Sequence, residues 1–346
     1  MPRKRLVSQI ALTGTSPWCI DGVVSGLTLL WGGPGVGKSF TAISMAVSVA
    51  TGRPWMGRRT KEGAVVYIAG EGGAEGVAHR VRAALAEWTI TIDEDEHPAE
   101  VPFYVVTPGV DLVEGGGVIY DLVGEIPPEP ISLIVVDTLS RCFVGDENKQ
   151  EFMAKFVQSL DYLREHYNCS ILIIHHANKK LELRGSSVLY GAVDVSWALT
   201  RNTGAKTEKG EKNLVLRADK LRERDIAAAG IKMRAVSTKM LGPHGRRVID
   251  EFGDDQTTLI MKPMQEDLDL ARKIRNAALE MIGTNRVFVT YREMRDAFKE
   301  YPKSKFDNAL SFVVTFPGKW GLMRGELPGQ YVKARAGIEN YWSTLA

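Results

Sequence analysis

Cysteine is scarce in this chain: three residues in 346, at Cys19, Cys142 and Cys169, with no CxxC pair. An odd and scattered set excludes a disulfide framework and a cysteine zinc site, and it fits a reducing cytosol. Long apolar runs are missing as well. Mainly apolar stretches such as 131–136 and 171–174 fall far short of the about 20 residues that span a bilayer, so no membrane partner is expected. The basic start Met1-Pro2-Arg3-Lys4-Arg5 is not followed by an apolar region with a small-residue cleavage site, so no secretory leader is expected either. Repeats with a period of about 20 to 50 residues and low-complexity tracts are absent, which excludes solenoids and arrays. There is little excess of either charge. The net value is +2, so nucleic-acid binding has to be argued from local charge.

Apolar residues make up 44% and charged residues 25%, the balance of a globular protein and not of a disordered, collagenous or coiled-coil chain. A length of 346 residues exceeds the usual single domain and predicts a large domain with a small one. Short apolar runs at 27–31, 64–69, 101–106, 131–136 and 171–174 read as strands. The segments 39–50, 75–88 and 149–166 read as amphipathic helices. Uniformly apolar strands separated by helices predict an α/β fold, a mostly parallel sheet covered on both faces. Segments 193–200 and 214–218 read as a later antiparallel pair around a polar loop. The composition changes near residue 262, which divides the chain into 1–262 and 263–346. In the second part, 267–282, 291–298 and 303–314 read as helices, followed by a hairpin at 320–323 and 330–332 with a Gly/Pro turn. Three helices and a hairpin predict a winged-helix-like domain.

The sharpest motif is Gly32-Gly33-Pro34-Gly35-Val36-Gly37-Lys38-Ser39, a complete GxxxxGK[ST] loop between an apolar strand and a helix. Glycines let backbone N–H groups wrap phosphates without Cβ clashes, and the helix N-terminus, from Ser39 and Phe40 onward, adds partial positive charge. Lys38 is placed to reach the β- and γ-phosphates of ATP, and the Ser39 hydroxyl to ligate Mg²⁺. The strand Ile131-Ser132-Leu133-Ile134-Val135-Val136-Asp137 ends in a carboxylate at the edge where ligands collect in open α/β sheets, which makes Asp137 the second metal ligand. Hydrolysis also needs a carboxylate to orient or deprotonate water. Thr138, not an acid, follows Asp137, so the candidate is Glu71 in Gly70-Glu71-Gly72-Gly73, just past the second strand.

These segments, together with His79-Arg80, His175-His176-Ala177-Asn178-Lys179-Lys180, Leu183-Arg184-Gly185-Ser186-Ser187 and Lys220-Leu221-Arg222, resemble the RecA-like P-loop ATPases. The nearer resemblance is to the RepA-type hexameric replicative DNA helicases of plasmids and phages, relatives of the DnaB-like ring helicases. It covers roughly residues 20–225. The resemblance implies Glu71 as catalytic base and His176 as the residue that senses the γ-phosphate. It also implies Arg222, with Lys220 beside it, as an arginine finger reaching a neighbouring subunit's site, although Arg217 and Arg224 are near enough to compete. His175-His176 also reads as two polar residues capping a strand, and it is no metal pair, because successive strand residues face opposite sides. Lys179, Lys180 and Arg184 lie in a loop of small residues suited to tracking a single-stranded DNA backbone, although such a loop is also commonly solvated surface. The partners implied are single-stranded DNA, sister copies in a ring (a hexamer by resemblance), and a primase or initiator in replication. Two alternatives remain open: a recombinase or recombination-mediator ATPase that forms nucleoprotein filaments, and an ATP-dependent regulatory switch. The tail has a small basic excess, with Lys303, Lys305 and Lys319 around its third helix. That excess does not decide between duplex DNA and protein docking.

Overall fold

The computed structural model describes residues 18–87, 101–107, 111–113, 129–178, 187–202, 211–222, 230–242, 245–282, 288–315, 322–324 and 330–333. In chain order the first elements are strands β1 (Trp18–Ile20), β2 (Val24–Ser25) and β3 (Leu27–Gly32), then helix α1 (Lys38–Ala50). Next come β4 (Ala64–Ala69), α2 (Gly73–Glu87), β5 (Phe103–Val106), β6 (Ile131–Asp137), α3 (Gln150–Tyr167) and β7 (Ser170–His176). They are followed by α4 (Ser187–Ala192), β8 (Val195–Arg201), β9 (Glu211–Leu221), β10 (Ile231–Lys239) and β11 (Thr257–Pro263). The chain continues through α5 (Gln265–Ile282), β12 (Phe288–Thr290), α6 (Tyr291–Ala297), α7 (Lys303–Thr315), β13 (Leu322–Arg324) and β14 (Gln330–Lys333).

Nine strands form one sheet in the order β11-β10-β9-β8-β3-β7-β6-β4-β5. From β8 to β5 the neighbours run parallel, whereas β8 to β11 pair antiparallel. The expected parallel sheet and the expected antiparallel pair are both present. Burial explains why: β4 and β6 are buried at every position, as strands covered on both faces must be. One face packs against α1 and α2 around Leu30, Ala46, Val65, Tyr67, Val135 and Ile174. The other packs against α3 around Leu29, Val66, Ile134, Phe156 and Ile173. On α3, Met153, Phe156, Leu160 and Leu163 are buried at the spacing of a single helical face. Each contributes roughly 1.5–3 kcal/mol as an upper bound. The helix closes at Asn168 in the left-handed conformation, φ 49°, with Arg164 in its last turn, where a cation meets the helix dipole favourably.

Several elements differ from the sequence expectation. Ser187–Ala192 forms a short helix that the apolar and polar pattern of the sequence did not predict. Strands β10 and β11 extend the sheet past the predicted pair, and β12 pairs with β14 in a small antiparallel sheet ordered β12-β14-β13. In this C-terminal portion α5, α6 and α7 enclose their own core of Leu270, Ile274, Ala278, Val289, Met294, Phe306 and Leu310. The start of α6 is fixed by a capping box between Thr290 and Glu293, which satisfies N–H groups that a helix start leaves open.

Candidate active site

The phosphate loop follows from the end of β3. Gly32 runs so close to β8 that a Cβ there would lie 2.5 Å from the Leu199 carbonyl oxygen. Gly37 has φ 109°, in the left-handed region where side chains are strained. The glycines are therefore needed for backbone geometry as well as for ligand access. Lys38 is buried, and its Nζ donates to the carbonyls of Gly32 and Gly33, each at 3.0 Å. Burial lowers its pKa, and the charges of Asp137 and Glu71 oppose that shift. The same ammonium lies 3.2 Å from Nδ1 of His176.

An ammonium can only donate, so Nδ1 of His176 is the acceptor and the ring proton of the neutral tautomer sits on Nε2. Nε2 faces Oε1 of Glu71 at 3.5 Å, so Lys38, His176 and Glu71 stand in a row. The pairing of β7 with β3 sets His176 beside Gly32 and His175 beside Trp31. The two histidines consequently face opposite sides: His175 is buried at 1% exposure, while His176 opens into the site.

Glu71 is held from a second direction by Thr138, whose Oγ1 donates to Oε1 at 3.3 Å. The backbone N–H groups of Gly70 and Glu71 donate to the Asp137 carbonyl at 2.6 and 3.2 Å, tying the end of β4 to the end of β6. Asp137 is 1% exposed. Ser39 Oγ donates to its Oδ1 at 3.2 Å, and Tyr67 Oη donates to its Oδ2 at 2.5 Å. Burial pushes the Asp137 carboxyl above its ordinary range, opposed by these two hydrogen bonds. Phe40 lies under the Arg80 guanidinium, 4.8 Å from ring centroid to cation, which brings α1 and α2 together beside the Glu71 turn.

The oxygen donors fit magnesium. Among the described residues no group of three or more His, Cys, Asp or Glu could hold a metal ion. A two-oxygen site built from a hydroxyl and one carboxylate leaves the remaining positions to water and phosphate, the arrangement Mg²⁺ prefers. Ser39 and Asp137 would hold it.

Lys220 and Arg222 lie elsewhere. In the β8–β9 pairing Lys220 is opposite Ser196 and Leu221 opposite Val195, and Val195 is level with Thr28 on β3. Arg222 is thus at the strand-start edge, roughly 16 Å before Gly32 at about 3.3 Å per residue. Its Nη1 donates to Asp194 Oδ1 at 3.0 Å and its Nη2 to the Gly191 carbonyl at 2.7 Å. Lys220 Nζ donates to the carbonyls of Tyr190 and Gly191 at 2.6 and 3.2 Å. Both side chains therefore cap the C-terminal end of α4. Arg217 pairs opposite Ala198, nearer the phosphate loop. Arg224, Lys179, Lys180 and Arg184 lie outside the described residues.

The sequence did not reveal Tyr67, Thr138 or Asp194 as partners of these groups. Asp194 accepts from Leu27 N at 3.0 Å and faces Arg164 at 3.5 Å, so it joins β3, α3 and Arg222.

A phosphate loop on the central strand and a buried carboxylate two strands away, with an acid on the next strand beyond, define a RecA-like P-loop ATPase. A family model described as an AAA domain matches residues 10–182, half of the chain, and the chain belongs to that family. It is also similar to the crystal structure of a KaiC-like protein from the hyperthermophilic archaeon Pyrococcus horikoshii. That likeness has 15% identity and a TM-score of 0.42, and covers 76% of this chain and 100% of the other. Among the described residues no helix is long and apolar enough to cross a membrane.

Proposed function

We propose that this ATPase is a ring-forming DNA helicase of the RepA type, which hydrolyses ATP at the interfaces between identical subunits and moves along single-stranded DNA. The observation that carries the reading is the separation of Arg222 from its own phosphate loop. At the opposite edge of the sheet Arg222 is too far to serve its own phosphate loop, and its half-exposed side chain supports a role at a neighbouring subunit's site once its hold on Asp194 and Gly191 is released.

The phosphate-loop backbone from Gly32 to Ser39 cradles the triphosphate, and Lys38 leaves the Gly32 and Gly33 carbonyls to reach the β- and γ-phosphates. Ser39 and Asp137 would hold Mg²⁺, which would supply positive charge to offset that of the triphosphate. Glu71 orients and deprotonates the attacking water. His176, freed from Lys38, carries the occupancy of the γ-phosphate position toward the segment that follows β7. In that segment Lys179, Lys180 and Arg184 supply the charge that follows a single-stranded backbone. Arg222, supplied by a neighbouring subunit with Lys220 beside it, stabilises charge developing on the γ-phosphate. The portion at 263–346, read as a winged-helix-like domain, is the docking module for duplex DNA or for a replication partner such as a primase or initiator.

Two measurements on the purified chain test the reading. Mass measurement with a non-hydrolysable ATP analogue and Mg²⁺ is expected to show a closed oligomer, most simply of six subunits. ATP turnover is expected to rise several-fold with single-stranded DNA and to lose that stimulation at high salt. A monomer under every nucleotide condition, with turnover indifferent to DNA, would contradict it.

A further inference from the structure

Tyr67 belongs to none of the motifs read above, yet its phenol makes the shortest side-chain contact to Asp137. In the β4–β6 pairing Tyr67 is level with Val135 and Ala69 is level with Asp137. Side chains two residues apart along a strand share a face, so Tyr67, Ala69 and Asp137 all point toward α1. Ala69 offers only a methyl group beside Asp137, and the longer Tyr67 side chain reaches diagonally across that gap to Oδ2 at 2.5 Å.

The ring is rigidly seated. Tyr67 is 0% exposed, and it stacks on Phe103 with centroids 5.9 Å apart and planes 23° apart. The two carboxylate oxygens of Asp137 consequently have different surroundings. Oδ2 faces a phenol enclosed in the core, whereas Oδ1 faces the Ser39 hydroxyl, a donor on the phosphate loop itself.

We propose that Tyr67 is a positioning residue for the metal–nucleotide site: by occupying Oδ2 it fixes the Asp137 carboxylate so that Oδ1 is presented, beside Ser39, to magnesium. The proposal rests on the reading of Asp137 as a metal ligand. Partners that hold a metal ligand in place from behind set its affinity as well as its orientation, and removing one typically weakens metal binding about 10- to 100-fold.

The test is a titration of a fluorescent ADP analogue, first in EDTA and then against rising Mg²⁺, on the wild type, Tyr67→Phe and Asp137→Asn. Tyr67→Phe keeps the ring and its stacking on Phe103 and removes only the hydroxyl. Its affinity in EDTA is expected to stay within about twofold of wild type, while the Mg²⁺ concentration for the half-maximal effect rises about tenfold or more. Asp137→Asn is expected to lose most of the Mg²⁺ effect. If Asp137→Asn leaves that effect intact, the reading of Asp137 fails, and with it the basis of the proposal. If Asp137→Asn abolishes the effect while Tyr67→Phe melts earlier but keeps the wild-type Mg²⁺ midpoint, Tyr67 is only a core residue and the proposal is overturned. Should Tyr67→Phe not fold, Phe103→Leu leaves every hydrogen-bond donor in place and unseats the ring. It must shift the same midpoint upward, and an unmoved midpoint would overturn the proposal.

Discussion

Arg222→Ala is expected to slow ATP hydrolysis about 10³-fold or more while nucleotide affinity stays near that of the wild type, the signature of a lost arginine finger. The guanidinium sits at the strand-start edge, held by Asp194 and the Gly191 carbonyl, so its loss does not disturb the phosphate loop of the same chain. The cost to stability is expected to be small. The Arg222 side chain is 49% exposed, ion pairs of that kind contribute about 0–1 kcal/mol, and Asp194 keeps the Leu27 N–H and Arg164 as partners. The decisive form of the experiment mixes Arg222→Ala with Lys38→Ala. A mixed interface that joins an intact phosphate loop to an intact Arg222 is expected to recover part of the activity. No recovery, together with weakened ATP binding, would mean that Arg222 serves only its own subunit.

Glu71→Gln is expected to lower turnover about 10²- to 10⁴-fold, the range for a lost general base, with KM for ATP little changed. The substitution keeps size and shape. Its amide oxygen still accepts from Thr138 Oγ1 and faces His176 Nε2, the contacts that Glu71 Oε1 makes at 3.3 and 3.5 Å. What is lost is the ability to take a proton from water. A loss smaller than tenfold, measured by phosphate release, would remove Glu71 from that role and leave it as a partner of His176 and Thr138.

The core of this fold was legible because parallel strands buried on both faces leave continuous apolar runs, and β3, β4, β6 and β7 all do. The phosphate loop was legible because its glycines and lysine are contiguous. Strand β10 was legible in principle: Ile231, Met233 and Ala235 are buried while Lys232 is exposed, the period of two expected of a strand open on one face. Strand β12 has three residues, too few for any periodicity. The partners of the site residues were hidden for a different reason. Tyr67 meets Asp137 across 70 positions of sequence, and Asp194 meets Leu27 across 167. Such contacts depend on strand order and register, which no local pattern specifies. His176 was found as a residue, whereas its place between Lys38 and Glu71 depends on β7 lying between β3 and β6.

Strand displacement on a forked duplex with ATP and Mg²⁺, with Glu71→Gln as the control, tests the central claim most directly. The motor account predicts unwinding by the wild type and none by Glu71→Gln, although both bind nucleotide and single-stranded DNA. ATP turnover stimulated by single-stranded DNA without any strand separation would contradict the motor and point to a filament-forming or switching ATPase built on the same site.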